Sequence, residues 1–539
     1  MLRFLVPIAL LISACAAVSE STATDNTGLT FIHLNDTYRV GAVEDGTKGG
    51  FGRVVTLIRR LQSEGRDVRV LHGGDFLYPS LESQLWNGQQ IVEAFNFMDD
   101  IAPMYVVAGN HEFDRRTPGH LVNAVRKSRF DWLGDNYQFS TGDDAVDARL
   151  QSGFTYRHGD KTVGIFAITL HADHGGNDRD YLSVDKDYVG AARASIERLE
   201  AMGVDVIIGI THLHMVTDVE IAKLRKYHPK LAFIVGGHEH EPEYNPASPD
   251  AAAVMKGASN ARIIWQIDVT FDAAGMPVVT GEQLAMDERI EEDADYNLIA
   301  DTWRRRLLEL YPFLESSVGR AALPLDATEQ TIRNRETSWG NFIVDQMRGA
   351  FGKPLADLAF INSGTLRIDD FIADDIRFED IVRTFGFSSY LRYMSISGAE
   401  FRELMEAGYR GSGPSKGYFP QVSGFRVCVD RSRASRDRIV SLQVPTDSVW
   451  SEIDPDYEYV LVVPDFLFRG GDGYTLPEHR KLSASRPGSE LKYLVLDGIV
   501  RAQAEGKAIG ESVDPANPRY VELGAGRQEC WEQKRAALR

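Results

Sequence analysis

The chain has 539 residues, 43% hydrophobic and 25% charged, the profile of a folded globular protein of two to four domains rather than a disordered one. Lys and Arg number 59 against 78 Asp and Glu, a net charge of −19. That excess of acid argues against a nucleic-acid polymer as partner, because gripping phosphates in a duplex needs basic faces. Any phosphate handled here must meet positive charge placed locally, as a few arginines or as metal ions.

The N-terminus carries Arg3 and then an apolar run from Phe4 to Ile12. The run is shorter than the roughly 20 helical residues a bilayer needs and fits the hydrophobic region of a secretory signal over residues 1–14. It ends in Ile12-Ser13-Ala14-Cys15, similar to a bacterial lipobox in which Cys15 is lipidated; a plain signal cut nearby is the other reading. Residues 15–28 are small and polar, as a tether should be. The expected location is therefore the bacterial periplasm or cell envelope, with the membrane reached only through a lipid on Cys15. After Cys15, the cysteines are Cys428 and Cys530. An oxidising compartment allows them to pair, but spacing alone does not establish it.

From Leu29 the chain alternates apolar runs with helical stretches. Strands are expected at Leu29–Asn35, Val68–Leu71, Met104–Ala108, Val163–Ile168, Val204–Ile210 and Leu231–Val235. Helices are expected at Gly52–Glu64, Gln90–Met98 and Ala191–Met202. This alternation predicts a layered α/β domain over 29–285. A charged stretch at 286–318, with Trp303, Leu307 and Leu308 at helical spacing, predicts a linker helix and hinge. Residues 319–525 predict an α+β domain, with a helix at Asn341–Phe351 and strands at Leu358–Ile361, Leu391–Ile396, Phe425–Val429 and Tyr459–Val463. Gly-rich turns fall at Gly411–Gly417 and Gly470–Gly473.

Polar clusters follow the first-domain strands. They are Asn35-Asp36-Thr37-Tyr38, Gly73-Gly74-Asp75, Gly109-Asn110-His111-Glu112-Phe113-Asp114, Thr211-His212 and Gly236-Gly237-His238-Glu239-His240. In layered α/β folds, sites form outside the carboxyl ends of the strands. Asp, Asn and His are oxygen and nitrogen donors suited to hard or borderline divalent metals, and no thiol takes part. Paired ions need a bridging ligand, for which Asp75 is the natural candidate, and such pairs clamp phosphoryl oxygens and activate water. Taken singly, His33, His72, His171, His174 and His214 read as structural or surface residues.

The ordered series GGD, GNHEFD, TH and GGHEH resembles the calcineurin-like metallophosphoesterases, and specifically the 5′-nucleotidase/UDP-sugar hydrolase group. The resemblance implies a four-layer β-sandwich with flanking helices and a C-terminal substrate-binding domain. It implies one ion on Asp36, Asp75 and His240 and another on Asp75, Asn110, His212 and His238. The ions would be two of Zn, Mn, Co or Fe. His111 would be the catalytic histidine, oriented by Asp114. One departure stands out: the family's usual Asp-x-His is Asp36-Thr37-Tyr38 here. Tyr38 is then a phenolate ligand favouring a ferric ion, or a group behind an open three-ligand site, or the mark of a weakened site.

Further clusters lie at Arg335–Asn341, Asn362–Arg367, Phe419–Gly424 and Phe466–Tyr474. By the same resemblance Arg335 and Arg367 would hold phosphate. Asn362 would bind the nucleoside, Phe419 and Phe466 would sandwich the base, and Asp472 would accept from ribose hydroxyls. The bland reading makes the aromatics core and the glycines turns. Thr384-Phe385-Gly386-Phe387 departs from the family's Pro-Phe-Gly-Asn-like segment, and an arginine found in some bacterial members is not evident.

The resemblance thus implies a 5′-nucleotidase that closes one domain on the other. Alternatives on the same metals are a UDP-sugar hydrolase, a 2′,3′-cyclic nucleotide hydrolase or a sugar-phosphate phosphatase. The rival of another class is a non-catalytic nucleotide-binding envelope lipoprotein.

Overall fold

The structure, a computed structural model, describes residues 28–171, 179–411, 417–446, 449–482, 484, 487–510, 513–524 and 529–531. The signal, the tether before Gly28, Cys15, His174 and most of the Gly411–Gly417 turn lie outside the described residues.

The first domain is built on two mixed sheets. One runs, edge to edge, Pro277–Ala285, Ile263–Phe271, Leu29–Leu34, Asp67–His72, Met104–Val107, Asp131–Leu133, Leu150–Gln151. The other runs Glu243–Asn245, Ala253–Lys256, Leu231–Gly236, Val206–His212, Lys161–Thr169, Phe154–His158. Their inner faces share one core, in which Phe31 of the first sheet and Phe233 of the second have ring centres 5.7 Å apart. Helices cover the outer faces: Phe51–Ser63 buries Val54, Leu57, Ile58 and Leu61, and Tyr188–Ala201 buries Ala192, Ile196 and Leu199. The central strands pair in parallel, and antiparallel strands close every edge but that of Leu150–Gln151, which pairs in parallel. Parallel neighbours end on the same side, so their following loops meet there. The layered α/β expectation describes this domain.

Helix Ala294–Leu310 is docked on the first domain: Tyr296 and Trp303 join its core, and the Trp303 ring lies 5.0 Å from Trp86. The chain then crosses to the second domain through Tyr311–Ser316. That domain is α+β. One sheet runs Leu391–Ser397, Glu458–Pro464, Leu358–Asn362, Pro420–Ser423; the other runs Val449–Glu452, Ile439–Thr446, Arg426–Asp430, Tyr520–Leu523. Helix Ser338–Gly349 starts at Thr337, whose hydroxyl accepts from the Gly340 N–H at 2.9 Å. Cys428 and Cys530 form a disulfide with Cα atoms 5.5 Å apart.

The domains meet through ion pairs. Arg383 of the second domain reaches Glu82 of the first at 2.7 Å and its own Glu379 at 2.6 Å. Arg304 of the docked helix reaches Glu379 at 2.7 Å. Asp369 accepts from Arg262 at 2.7 Å and from the Ser259 hydroxyl at 2.6 Å.

Candidate metal centre and substrate cleft

Three of the candidate ligands sit in left-handed backbone: Asp36 at φ 52°, Asp75 at φ 58° and His238 at φ 81°. These sharp turns follow directly on the strands and swing the side chains back across the sheet ends. Close approach of the loops makes glycine obligatory beside them. A Cβ on Gly109 would stand 2.2 Å from Asp75 Oδ1, and one on Gly74 2.7 Å from His212 Nδ1.

The loops converge. His212 Nε2 lies 3.2 Å from Asp75 Oδ2 and 3.1 Å from Asn110 Oδ1, and His238 Nδ1 lies 3.2 Å from the same Asn110 oxygen. Donor atoms of Asp75, His212 and His238 all fall within 4.8 Å of one another. Next to them, His240 Nε2 lies 3.5 Å from Asp36 Oδ1 and 3.0 Å from the Tyr38 hydroxyl. Every residue proposed from sequence as a ligand is therefore in one cluster.

Two observations fit this cluster to divalent ions. Asp36 Oδ2 accepts from the Asn35 amide at 2.7 Å and the His238 N–H at 2.9 Å, while its Oδ1 is buried without a hydrogen-bond partner among the described residues. An orphaned carboxylate oxygen of this kind is costly unless a cation meets it. The protonation pattern agrees. Burial opposes charge on His212, yet Asp75 and Asp36 beside it push its pKa up to about 9, so the acidic cluster draws in positive charge. Burial, with His212 and His214 alongside, holds His238 well below the usual imidazole range. His212 Nδ1 donates to Gly73 O at 2.7 Å, which turns Nε2 inward.

His111 packs beside the cluster. Its backbone N–H donates to Asp75 Oδ1 at 2.8 Å, its Nε2 lies 3.9 Å from Asp75 Oδ2, and its Nδ1 lies 2.9 Å from Asp114 Oδ2. Burial disfavours the imidazolium, but Asp114 and Asp75 outweigh it and raise the pKa.

Glu112 had no role from sequence. Its buried carboxylate accepts from the backbone N–H groups of Asp75, Phe76, Leu77 and Gly109, bolting two ligand loops together. Lys256, fully buried, does the same for the histidine loops: its ammonium donates to Leu213 O at 2.6 Å and Gly237 O at 3.0 Å and pairs with Asp218 and Glu239. A lysine inside an apolar strand was the available signal. His33 and His72 are buried rather than at the surface: His33 bonds Leu71 O and Gly236 O, and His72 bonds the Thr37 hydroxyl at 2.8 Å.

The second domain brings Arg367 to this cluster, its guanidinium carbon 5.7 Å from the centre of the Tyr38 ring. Arg335 is exposed. Two residues earlier, Arg333 is buried and pairs with Glu329, which also pairs with Arg367 at 3.4 Å. Arg333 stands two residues before the Arg335–Asn341 cluster, and burial separates it from Arg335. Asn362 donates to Asp472 Oδ2 at 2.7 Å, and Asp472 lies within electrostatic reach of Arg333 and Arg367. Phe466 is half-buried near this pair, whereas Phe419 is 1% exposed and packs edge-on against Tyr409 and Tyr520 in the core. The bland reading holds for Phe419, and a base has no access to its face. Phe387 of the departing segment is partly exposed with its ring 6.3 Å from His111.

A sandwich of two sheets that gathers oxygen and nitrogen donors at its strand ends, faced by a second domain carrying buried arginines, defines a metal-dependent phosphoesterase. Residues 29–242 match the calcineurin-like phosphoesterase family, and residues 317–479 match the 5′-nucleotidase C-terminal domain. The chain thus joins a calcineurin-like phosphoesterase domain to a 5′-nucleotidase C-terminal domain and is a phosphoric ester hydrolase. It is 25% identical over 516 residues to the 5′-nucleotidase of Mus musculus, covering 87% of this chain and 88% of the relative. It is 26% identical over 524 residues to the snake venom 5′-nucleotidase of Crotalus adamanteus, covering 87% and 86%. Its fold is similar to a 5′-nucleotidase precursor from Thermus thermophilus, with TM-score 0.77 at 24% identity over 92% of this chain and 99% of that one.

Proposed function

We propose that the protein uses two metal ions, both divalent or one of them ferric at the Tyr38 site, to release phosphate from nucleoside 5′-monophosphates or related nucleotides. The observation that carries this is the meeting of the cluster around Asp75 with Arg367 of the second domain. Relatives named 5′-nucleotidase over nearly the whole length support the nucleotide.

One ion is assigned to Asp36, Asp75, His240 and Tyr38, the other to Asp75, Asn110, His212 and His238. When bound, the ions supply Lewis acidity and an activated water. Arg333 and Arg367 take up phosphoryl charge as it develops. Asp114 fixes the His111 tautomer, so that Nε2 can donate a proton to the leaving oxygen. Phe466 offers a face to the base, and Asp472 and Asn362 meet the sugar hydroxyls.

Tyr38 is assigned as a ligand because its hydroxyl, His240 Nε2 and Asp36 Oδ1 converge. Burial, followed by Asp75 and Asp36, holds its pKa well above the usual phenol. A strongly polarising ion, ferric iron above all, is what would remove that proton.

Domain boundaries are proposed at 29–285 and 319–525, with the hinge in the segment after Leu310. Export is proposed from the N-terminal signal pattern, with a lipid on Cys15 and a periplasmic or envelope location. The Cys428–Cys530 disulfide supports an oxidising compartment. Among the described residues no helix is long and apolar enough to cross a membrane.

Phosphate release from AMP, UDP-glucose, a cyclic nucleotide and a sugar phosphate, with Mn, Zn, Co or Fe supplied, tests the reading. AMP is expected to turn over fastest. Preference for UDP-glucose, the cyclic nucleotide or the sugar phosphate would move the substrate to that class. No release with any metal would leave a binding protein.

A further inference from the structure

Outward ring nitrogens decide how histidine ligands are held, and the two domains share that task unequally. His212 is served from within its own domain, through Gly73 O at 2.7 Å. His240 is served from the other domain. Its Nδ1 lies 2.6 Å from Glu329 Oε2, an ion-pair distance without hydrogen-bond alignment.

Glu329 opens a short helix, Glu329–Ile332, in the second domain and is 1% exposed. Its other oxygen faces the two arginines, Arg333 at 2.5 Å and Arg367 at 3.4 Å. Its backbone N–H donates to Asp369 Oδ1 at 2.9 Å, and the other oxygen of Asp369 accepts from Ser259 and Arg262 of the first domain. Arg333 and Arg367 hold the carboxylate within the second domain, and the link from Glu329 through Asp369 to Arg262 is a second contact that parting the domains would break.

We propose that Glu329 is a positioning residue that completes the metal centre from the opposite domain. It orients His240 so that Nε2 faces the ion and holds Arg333 and Arg367 beside it. A carboxylate behind a ligating histidine fixes its orientation and raises its basicity, and losing such a partner typically costs about 10–100-fold in metal affinity. Parting the domains removes that partner from His240 and leaves His212 untouched. One ion is therefore held tightly only when the arginines are also in place. Loading of that ion and assembly of the phosphate pocket become one event, and by linkage each favours the other.

The inference rests on His240 being a ligand, and the test separates the two. Full-length wild type, Glu329→Gln, Glu329→Asp and His240→Ala are dialysed against graded free Mn2+, and bound manganese per chain is measured. In Glu329→Gln one ion is expected to weaken by about 10–100-fold, while the other keeps its wild-type affinity. That second ion and an unchanged melting temperature serve as the internal check on folding. Glu329→Asp is expected to recover part of the loss. If Glu329→Gln unbalances the arginines and unfolds, the charge-balanced pair Glu329→Gln/Arg333→Gln replaces it, with the same selective loss expected. Equal affinity for both ions in the folded glutamine variant overturns the proposal, even if KM for phosphoester rises. Loss of an ion in His240→Ala but not in Glu329→Gln removes the role of Glu329 and keeps the ligand assignment. Full retention in His240→Ala removes both.

Discussion

His111 Nδ1 and Asp114 Oδ2 face each other at 2.9 Å across a single turn of chain. The pairing leaves Nε2 as the working nitrogen. His111→Ala is expected to lower kcat by about 10²–10⁴-fold, the usual contribution of positioned proton transfer, with bound metal unchanged. Asp114→Asn should cost less, because the ring remains but loses its orienting charge. Steady-state kinetics with metal analysis on the same samples check both; loss of metal in His111→Ala would contradict the assignment.

Tyr38 should behave as a ligand. Tyr38→Phe keeps the ring and removes the oxygen that lies 3.0 Å from His240 Nε2. The expected result is weaker binding of one ion, slower turnover, and loss of any visible absorption band in iron-loaded protein. If metal content, absorption and turnover are all unchanged, Tyr38 is not a ligand.

The arginines separate by burial. Arg367→Ala is expected to raise KM by roughly 10–100-fold, in keeping with about 1.5–3 kcal/mol for a charge-assisted hydrogen bond. Arg333→Ala should act in the same direction. Arg335→Ala, at an exposed side chain, should leave KM close to wild type. Measuring the three side by side decides which of these arginines meets phosphate.

The aromatics divide in the same way. Phe419→Ala removes a fully enclosed ring and is expected to cost about 3–5 kcal/mol of stability. Phe466→Ala should instead weaken nucleotide binding with little change in the denaturation midpoint. Urea titration and KM for AMP distinguish them.

Acid should loosen the domain contact. Burial alone would raise the Glu379 pKa, but Arg383 and Arg304 bring it down to about 2, and Arg383 and Arg39 likewise lower that of Glu82. Both folded values lie below the ordinary carboxylate value of about 4.3. The stability these pairs supply is complete above that value and is lost as pH falls toward 2. Denaturation midpoints should fall between pH 5 and 3, and less steeply in Glu379→Gln; parallel slopes would refute the linkage.

Much of the first domain was legible because its central strands are buried on both faces and read as plain apolar runs. Boundaries differ by up to three residues; His212, for instance, ends its strand rather than following it. The donor cluster was legible because each donor lies at or just beyond the end of a strand, in order. The second domain was harder. Arg333 and Arg335 look alike in sequence, and only packing against Glu329 separates them. Phe419 and Phe466 are equally aromatic, and only enclosure tells a core ring from an open one. Glu329 acts across elements far apart in the chain, so no local pattern announces it, whereas Lys256 in an apolar strand was a sign the motifs did not use.

The left-handed backbone at Asp36, Asp75 and His238 narrows what sequence drift can do there. Each position demands both an uncommon torsion and an electron-pair donor. Asp, Asn and His are the side chains that tolerate such a torsion best among those that can also bind a cation. A substitution that satisfies one requirement rarely satisfies the other. Exchange at these three loop tips is therefore confined to a very small alphabet, whatever happens to the surface around them.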